Sequence, residues 1–347
     1  MFIPVSQKPS DSLRPANSGI SANDWSVLAD FWYPVAIARD VTDKPAKARL
    51  LDVDLVLFRG PEGTVGATID ECPHRQIRLS SGQVIDGQVV CPFHGLRFDT
   101  GGRCRLVPTV GAGKKLPAGY RVRAFPTRER YGLIWTCLGD PAKHDVPDFP
   151  DLAGVPDAQI GIGPPLVWPV SAPRQIENFF DLAHLPLVHR RTLGGDPDGF
   201  VKPGHVEQRP DAVLLTTDYI ETPEGGTPRP CKFIYRIVLP FAIDFTVHGE
   251  GEHVMHAFNI PCPISAHESR VFQLIKIAAA ESLEASLEIQ RNMVSFFDVI
   301  NQEDLDVLKE LVLPDLPLDQ HHEIHLPVDN ICGAYRMRLR ELGLGRD

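Results

Sequence analysis

Between residues 31 and 138 the apolar positions come in short β-type runs, at 55–58, 65–69, 88–91, 120–124 and 133–136. Glycine turns at Arg59-Gly60, Asp86-Gly87 and Gly101-Gly102 separate them, which predicts a small antiparallel β domain. Residues 139–173 then hold eight prolines and read as a linker or extended crossover. Beyond it, 174–188 has a helical period, 212–277 alternates as strands do, and 281–313 reads as one long helix. Residues 1–23, rich in Ser, Pro and Asn, lack periodicity. The expected organisation is a flexible arm over 1–24, a β domain over 25–145 and an α+β domain over 146–347, its antiparallel sheet packed by helices.

Composition narrows the class. The chain has 347 residues, 43% hydrophobic and 23% charged, which suits two folded domains and excludes collagen and extensive disorder. No apolar run approaches the roughly 18 residues of a spanning helix, and the N-terminus lacks a signal pattern. A cytoplasmic protein with no membrane partner is expected. Seven cysteines, scattered and odd in number, point to metal ligation rather than a disulfide framework.

Charge is uneven. The net is -10, yet residues 75–130 carry eleven Lys/Arg against three acids, a local +8 against -18 for the remainder. No nucleic-acid motif accompanies this patch, so nucleic acid is not an expected partner. Docking of an acidic protein and a merely solvated face both remain open.

Two constellations carry chemistry. The first is Cys72-Pro73-His74 with Cys91-Pro92-Phe93-His94-Gly95. Each loop offers one thiolate and one imidazole, so two similar loops can place both thiolates on one iron and both imidazoles on the other, as a Rieske 2Fe-2S centre requires. The competing readings are a zinc site of two cysteines and two histidines, and four unrelated residues, but zinc fingers normally pair like ligands within a loop.

The second is Asn178-x2-Asp181-x2-His184-x4-His189. At about 100° per residue, Asn178, Asp181 and His184 share one helix face, while His189 lies about 140° away from His184. Pro186 should bend or end the helix and let His189 swing round. A carboxylate would complete an iron site of two histidines and one carboxylate. On the C-terminal helix, Met293, Phe297, Ile300, Val307, Leu308 and Leu311 fall within about 60° of Asp304. Asp298, Glu303, Asp306 and Glu310 lie about 100° or more away. Asp304 is thus the acid centred on the buried stripe, where a metal would neutralise it; the alternative is a buried pair with an arginine or a helix N-terminus.

With both sets in place, the chain from Trp25 to about Leu313 resembles the Rieske non-haem iron oxygenases. Arg75, Gly82, Gly95 and Pro108 also sit where that family has them, whereas Gln76-Ile77 replaces residues that are small in many members. The resemblance implies a 2Fe-2S cluster on Cys72, His74, Cys91 and His94, and a mononuclear Fe(II) on His184, His189 and Asp304. It further implies that Asp181 links this iron to His94 of an adjacent subunit in a homotrimer. Electrons would come ultimately from NAD(P)H through a separate reductase or ferredoxin, which agrees with the lack of a G-x-G-x-x-G signature. The implied reaction uses O2 to hydroxylate or oxidatively demethylate a small ring-containing substrate. A Rieske electron-transfer protein and a zinc-stabilised binding protein are the alternative classes.

Other features are read as structural. His321, His322, Glu323 and His325 lie in a proline-flanked segment expected to be a solvated loop. One of His248, His253 and His256 could contact substrate. Cys104, Cys137, Cys231, Cys262 and Cys332 read as small buried hydrophobes. Phe233, Tyr235, Phe241, Phe245, Met255 and Phe258 are expected in the sheet core, with some lining a cavity over the iron.

Overall fold

A computed structural model describes residues 13–346 apart from 197, 250–253 and 279–281. The chain divides into two compact units, Met1–Val146 and Pro147–Asp347. Among the described residues no helix is long and apolar enough to cross a membrane.

The first unit is β-rich. One sheet orders Ala46–Leu50, Val53–Arg59, Val65–Ile69 and Ala124–Phe125; a second orders Gln83–Ile85, Gln88–Val90, Arg97–Phe98 and Cys104–Leu106. A third joins Tyr33–Ile37, Leu133–Thr136 and Thr127–Arg130. The run at 120–124 is not the expected strand. It makes backbone bonds from Cys104 N to Tyr120 O and from Val122 N to Gly102 O, then enters a ladder only at Ala124. Gly102 permits this approach, since a Cβ there would lie 2.2 Å from Val122 O.

Of the expected arm, residues 1–12 lie outside the described residues, and the rest is anchored rather than flexible. The Arg14 guanidinium donates to Ile20 O at 2.7 Å and Ser18 Oγ to Asp52 Oδ2 at 2.7 Å. Helix α1, Ala22–Ala29, starts before Trp25 because the Ser21 side chain caps it, accepting from Asp24 N.

The second unit is built on one antiparallel sheet, ordered Gly161–Ile162, Ser269–Ala278, Val254–Pro263, Ala242–His248, Arg229–Val238, Ala212–Glu221 and His205–Gln208, with Leu166–Trp168 also paired to Ser269–Ala278. The remaining helices are α2 (Ala172–Phe180), α3 (Leu185–Val188), α4 (Leu283–Leu308) and α5 (Asn330–Glu341). Helix α2 packs on strand Val254–Pro263, and α4 on Ser269–Ala278. This is the α+β architecture read from the sequence.

Two polar networks hold the helices in place. Buried amides run from α2 across the sheet to α4: Asn259 donates to Gln175 Oε1 at 2.8 Å, Gln273 to Asn259 Oδ1 at 3.3 Å, and Asn301 to Gln273 Oε1 at 2.7 Å. An ionic network ties α2 to α5. Arg336 reaches Glu177 at 2.5 and 2.8 Å and Glu323 at 2.5 Å, while Arg174 pairs with Glu177 at 3.1 Å and Glu323 at 2.6 Å. Glu323 therefore departs from the expected solvated loop, because two guanidinium groups need its carboxylate. Its neighbours His321, His322 and His325 are exposed as expected.

Arg336 is 2% exposed, and removing it takes away the two shorter bonds to the buried Glu177, leaving that carboxylate with Arg174 alone. Arg336→Leu should destabilise the second unit by about 3–5 kcal/mol in denaturant unfolding. A loss below about 1 kcal/mol would mean that solvent replaces the guanidinium.

Candidate active site

The segment 174–188 is not one helix. Helix α2 ends at Phe180; Asp181 leaves the helical region with ψ 124°, and its Oδ1 accepts from Ala183 N at 2.8 Å. A local carboxylate-to-backbone bond of this kind competes with helix continuation. Pro186 then sits in the first turn of α3, where its missing N–H costs nothing, instead of terminating α2. His184 and His189 thus flank α3 as its N-cap and C-cap residues. Two turns, rather than one helical face, aim the imidazoles at a common point.

At that point the two Nε2 atoms lie 3.2 Å apart. Asp304 Oδ1 stands 3.4 Å from His184 Nε2 and 3.1 Å from His189 Nε2. His189 is 1% and Asp304 6% exposed. Each imidazole's other nitrogen already faces a carboxylate: His184 Nδ1 meets Asp181 Oδ2 at 3.0 Å, and His189 Nδ1 meets Glu303 Oε2 at 2.9 Å. With the Nδ1 protons donated there, both Nε2 lone pairs and the unpartnered Asp304 Oδ1 face one another. Three acceptors in a buried site call for a positive charge. Burial works against protonating His184, but Asp181 and Asp304 outweigh it and raise its pKa to about 9. Burial likewise opposes charge on Asp304, yet the two histidines hold it down at about 2. A divalent cation answers the same demand, and a donor set of two imidazoles and one carboxylate with outward Nδ1–H bonds fits iron.

Glu303 escaped the sequence reading because the helical wheel set it away from the buried stripe. Its longer side chain reaches back to His189 and also accepts from Thr192 Oγ1 at 2.7 Å. Phe297, Ile300 and Leu308 are buried as expected, but Val307 and Leu311 are 51% and 38% exposed. Val307 lies at the edge of the stripe, and Leu311 lies beyond the end of α4, where the wheel no longer applies.

The three groups open onto a cavity of about 730 Å³. Phe179, Phe233, Tyr235, Phe245, Met255 and Phe297 form much of its wall. Phe233, Tyr235 and Phe245 project from adjacent strands, with Tyr235 and Phe245 stacked at 4.3 Å. His256 and His248 do not line this cavity. They pair in register with Thr246 and Val254, and His256 shares the strand face opposite that of Phe245 and Met255. His253 falls outside the described residues.

In the first unit, the Cys72 and Cys91 loops are built alike. Cys72 N donates to Ile77 O and Gln76 N returns to Cys72 O; Cys91 N donates to Leu96 O and Gly95 N returns to Cys91 O. The fifth residue of each loop is left-handed, Gln76 at φ 57° and Gly95 at φ 68°. Gln76 therefore adopts a glycine-like conformation without glycine's freedom. Both thiols are buried, and His74 and His94 are exposed with their Nδ1 atoms 3.2 Å apart. Burial, and Cys91 beside it, push the Cys72 thiol up to about 11, which disfavours a free thiolate there. Two facing thiols and two facing imidazoles fit a Rieske cluster.

Comparison with known proteins accords with both halves. Residues 31–126 match the Rieske [2Fe-2S] domain, and residues 168–344 match the vanillate O-demethylase oxygenase C-terminal domain. Methylxanthine N1-demethylase NdmA of Pseudomonas putida is 30% identical over 328 residues, covering 91% of this chain and 89% of the relative. The oxygenase component of dicamba O-demethylase from Stenotrophomonas maltophilia is 40% identical over 166 residues, 48% of each chain. The structure of NdmA from P. putida CBB5 with caffeine superposes with a TM-score of 0.77 at 28% identity, over 91% of both chains. The chain belongs to the Rieske non-haem iron oxygenases. It is an oxidoreductase of the oxygenase and demethylase kind, and its second unit matches a catalytic domain that a Rieske electron-transfer protein or a zinc-stabilised binding protein would not need.

The purified protein should be red-brown with two acid-labile sulfides per chain, and Cys72→Ser or Cys91→Ser should lose both. Stoichiometric zinc without visible absorption would overturn the cluster assignment.

Proposed function

We propose that this enzyme is the terminal oxygenase of an electron-transfer system, acting as a cytoplasmic homotrimer that removes a methyl group from, or hydroxylates, a small ring compound. The observation that carries this reading is the convergence of His184, His189 and Asp304 on the wall of an aromatic-lined cavity. The demethylase names of the relatives support loss of an N- or O-methyl group. Electrons are taken from a separate reductase or ferredoxin, ultimately from NAD(P)H. The exposed Arg103, Arg105, Lys114 and Lys115 offer an acidic donor a basic surface.

The cluster, held by Cys72, His74, Cys91 and His94, would supply electrons singly, and an iron held by His184, His189 and Asp304 would supply O2 reduction. The chain's own residues supply the rest. Asp181 and Glu303 accept from the Nδ1–H groups, which fixes both tautomers and aims both Nε2 lone pairs. The apolar cavity excludes water and holds the methyl group near the three donors. For an aryl methyl ether, R–OCH3 + O2 + 2 e⁻ + 2 H⁺ gives R–OH, formaldehyde and water. The hydroxylated methyl carbon leaves once its bond to oxygen breaks. Asp181, 29% exposed at its side chain, retains one face toward solvent and can also accept from His94 of a neighbouring subunit, which makes it the short path between centres.

Reductase-coupled turnover with methoxylated and N-methylated ring compounds should release one formaldehyde per O2 for a true demethylation substrate. Asp304→Ala should lose the mononuclear iron and all product while keeping the cluster spectrum; full iron retention would move the carboxylate role to a neighbour such as Glu303. Asp181→Asn keeps size but not charge. Cluster reduction by the donor should stay normal while cluster reoxidation with substrate and O2 slows by about a hundredfold, the scale of losing a partner of a metal-bound histidine. Wild-type reoxidation rates would refute the bridging role.

A further inference from the structure

The charges among the described residues of the cavity wall bear on the substrate class. Among the described residues lining it, the charged side chains other than Asp304 and the histidines are Glu221 and Arg229. They stand directly opposite each other at the end of the hairpin formed by strands Ala212–Glu221 and Arg229–Val238. Their head groups meet with Glu221 Oε2 3.2 Å from Arg229 Nη2. The Glu221 side chain is 17% exposed and that of Arg229 58%, so the carboxylate sits inward and the guanidinium bridges it to solvent. Burial raises the Glu221 carboxyl and Arg229 opposes that shift.

Building on the ring-compound oxygenase reading above, we propose that the Glu221–Arg229 pair is a charge filter that admits uncharged ring substrates and rejects anionic and cationic ones. The pair neutralises itself. An anion entering the apolar cavity loses its hydration and finds the Arg229 guanidinium already bonded, with the Glu221 carboxylate beside it. A cation meets Arg229 in the same way. An uncharged ring displaces only water from aromatic walls, which is favourable. The filter lies on a strand end away from the metal-binding groups in sequence, so its two members can be altered without touching them.

The test uses three planar probes of nearly one shape: 4-methoxybenzoate, 4-methoxybenzamide and 4-methoxybenzamidine, titrated calorimetrically into the iron-loaded enzyme with its cluster oxidised. The wild type should bind the amide about tenfold or more tighter than either charged probe. Glu221→Gln leaves Arg229 unbalanced and should improve benzoate relative to amide by about fivefold while weakening benzamidine; Arg229→Gln should do the reverse. Any field from the metal centre is common to all three proteins, so the change in probe ranking isolates the pair. A role in packing alone would shift the three probes together and would overturn the filter, as would a wild type that binds the acid as tightly as the amide. Failure of all three to bind the wild type would overturn the ring-substrate reading itself.

Discussion

Three electron-rich atoms share one buried point, and among the described residues no donor satisfies them together. The Nε2 atoms of His184 and His189 are 3.2 Å apart with Asp304 Oδ1 beside them, and their Nδ1 atoms face the carboxylates of Asp181 and Glu303. Such a site is stable only around a positive charge. Much of the second unit can be understood as the framework that enforces this. Asp181 breaks α2 so that two histidines five residues apart can meet, and α4 brings Asp304 to them across the edge of the sheet. The cavity lies where the framework leaves an apolar hollow against these atoms.

The same physical logic governs the first unit, by a different construction. There the candidate ligands lie within two short loops with matching backbone bonds, and only one or two residues intervene between each buried thiol and its exposed imidazole. Short-range geometry suffices, so the loop needs little from the rest of the fold beyond the small core of Phe58, Leu79 and Phe98 behind it. The second constellation depends on long-range packing, since its donor groups come from positions 184, 189 and 304.

This difference explains what the sequence revealed. Cysteine and histidine spacing is local and was readable directly, as was the strand alternation over 212–277. Asp304 could be singled out because helical periodicity orders a long helix. Glu303 could not, since a wheel records where Cβ points and not how far a glutamate reaches. A sharper signal was present: His184 had Asp181 as a candidate partner for its second nitrogen, while His189 had none. The break at Asp181 was hidden because Pro186 is the stronger formal helix breaker, yet proline is tolerated in a first turn. Glu323 and the Glu221–Arg229 pair depend on tertiary contacts and hairpin register, which periodicity does not contain.

The amide chain from Gln175 through Asn259 and Gln273 to Asn301 has a consequence for how the enzyme tolerates its own chemistry. It joins the helix preceding the histidines to the helix bearing the carboxylate using groups that do not titrate between mild acid and mild base. Asn301 lies one turn before Asp304, so the candidate metal site adjoins amides whose own charge does not change. A scaffold of carboxylates and ammonium groups there would feel each step as a change in electrostatic load. Amides there would leave the spacing between the two helices independent of the net charge of the site.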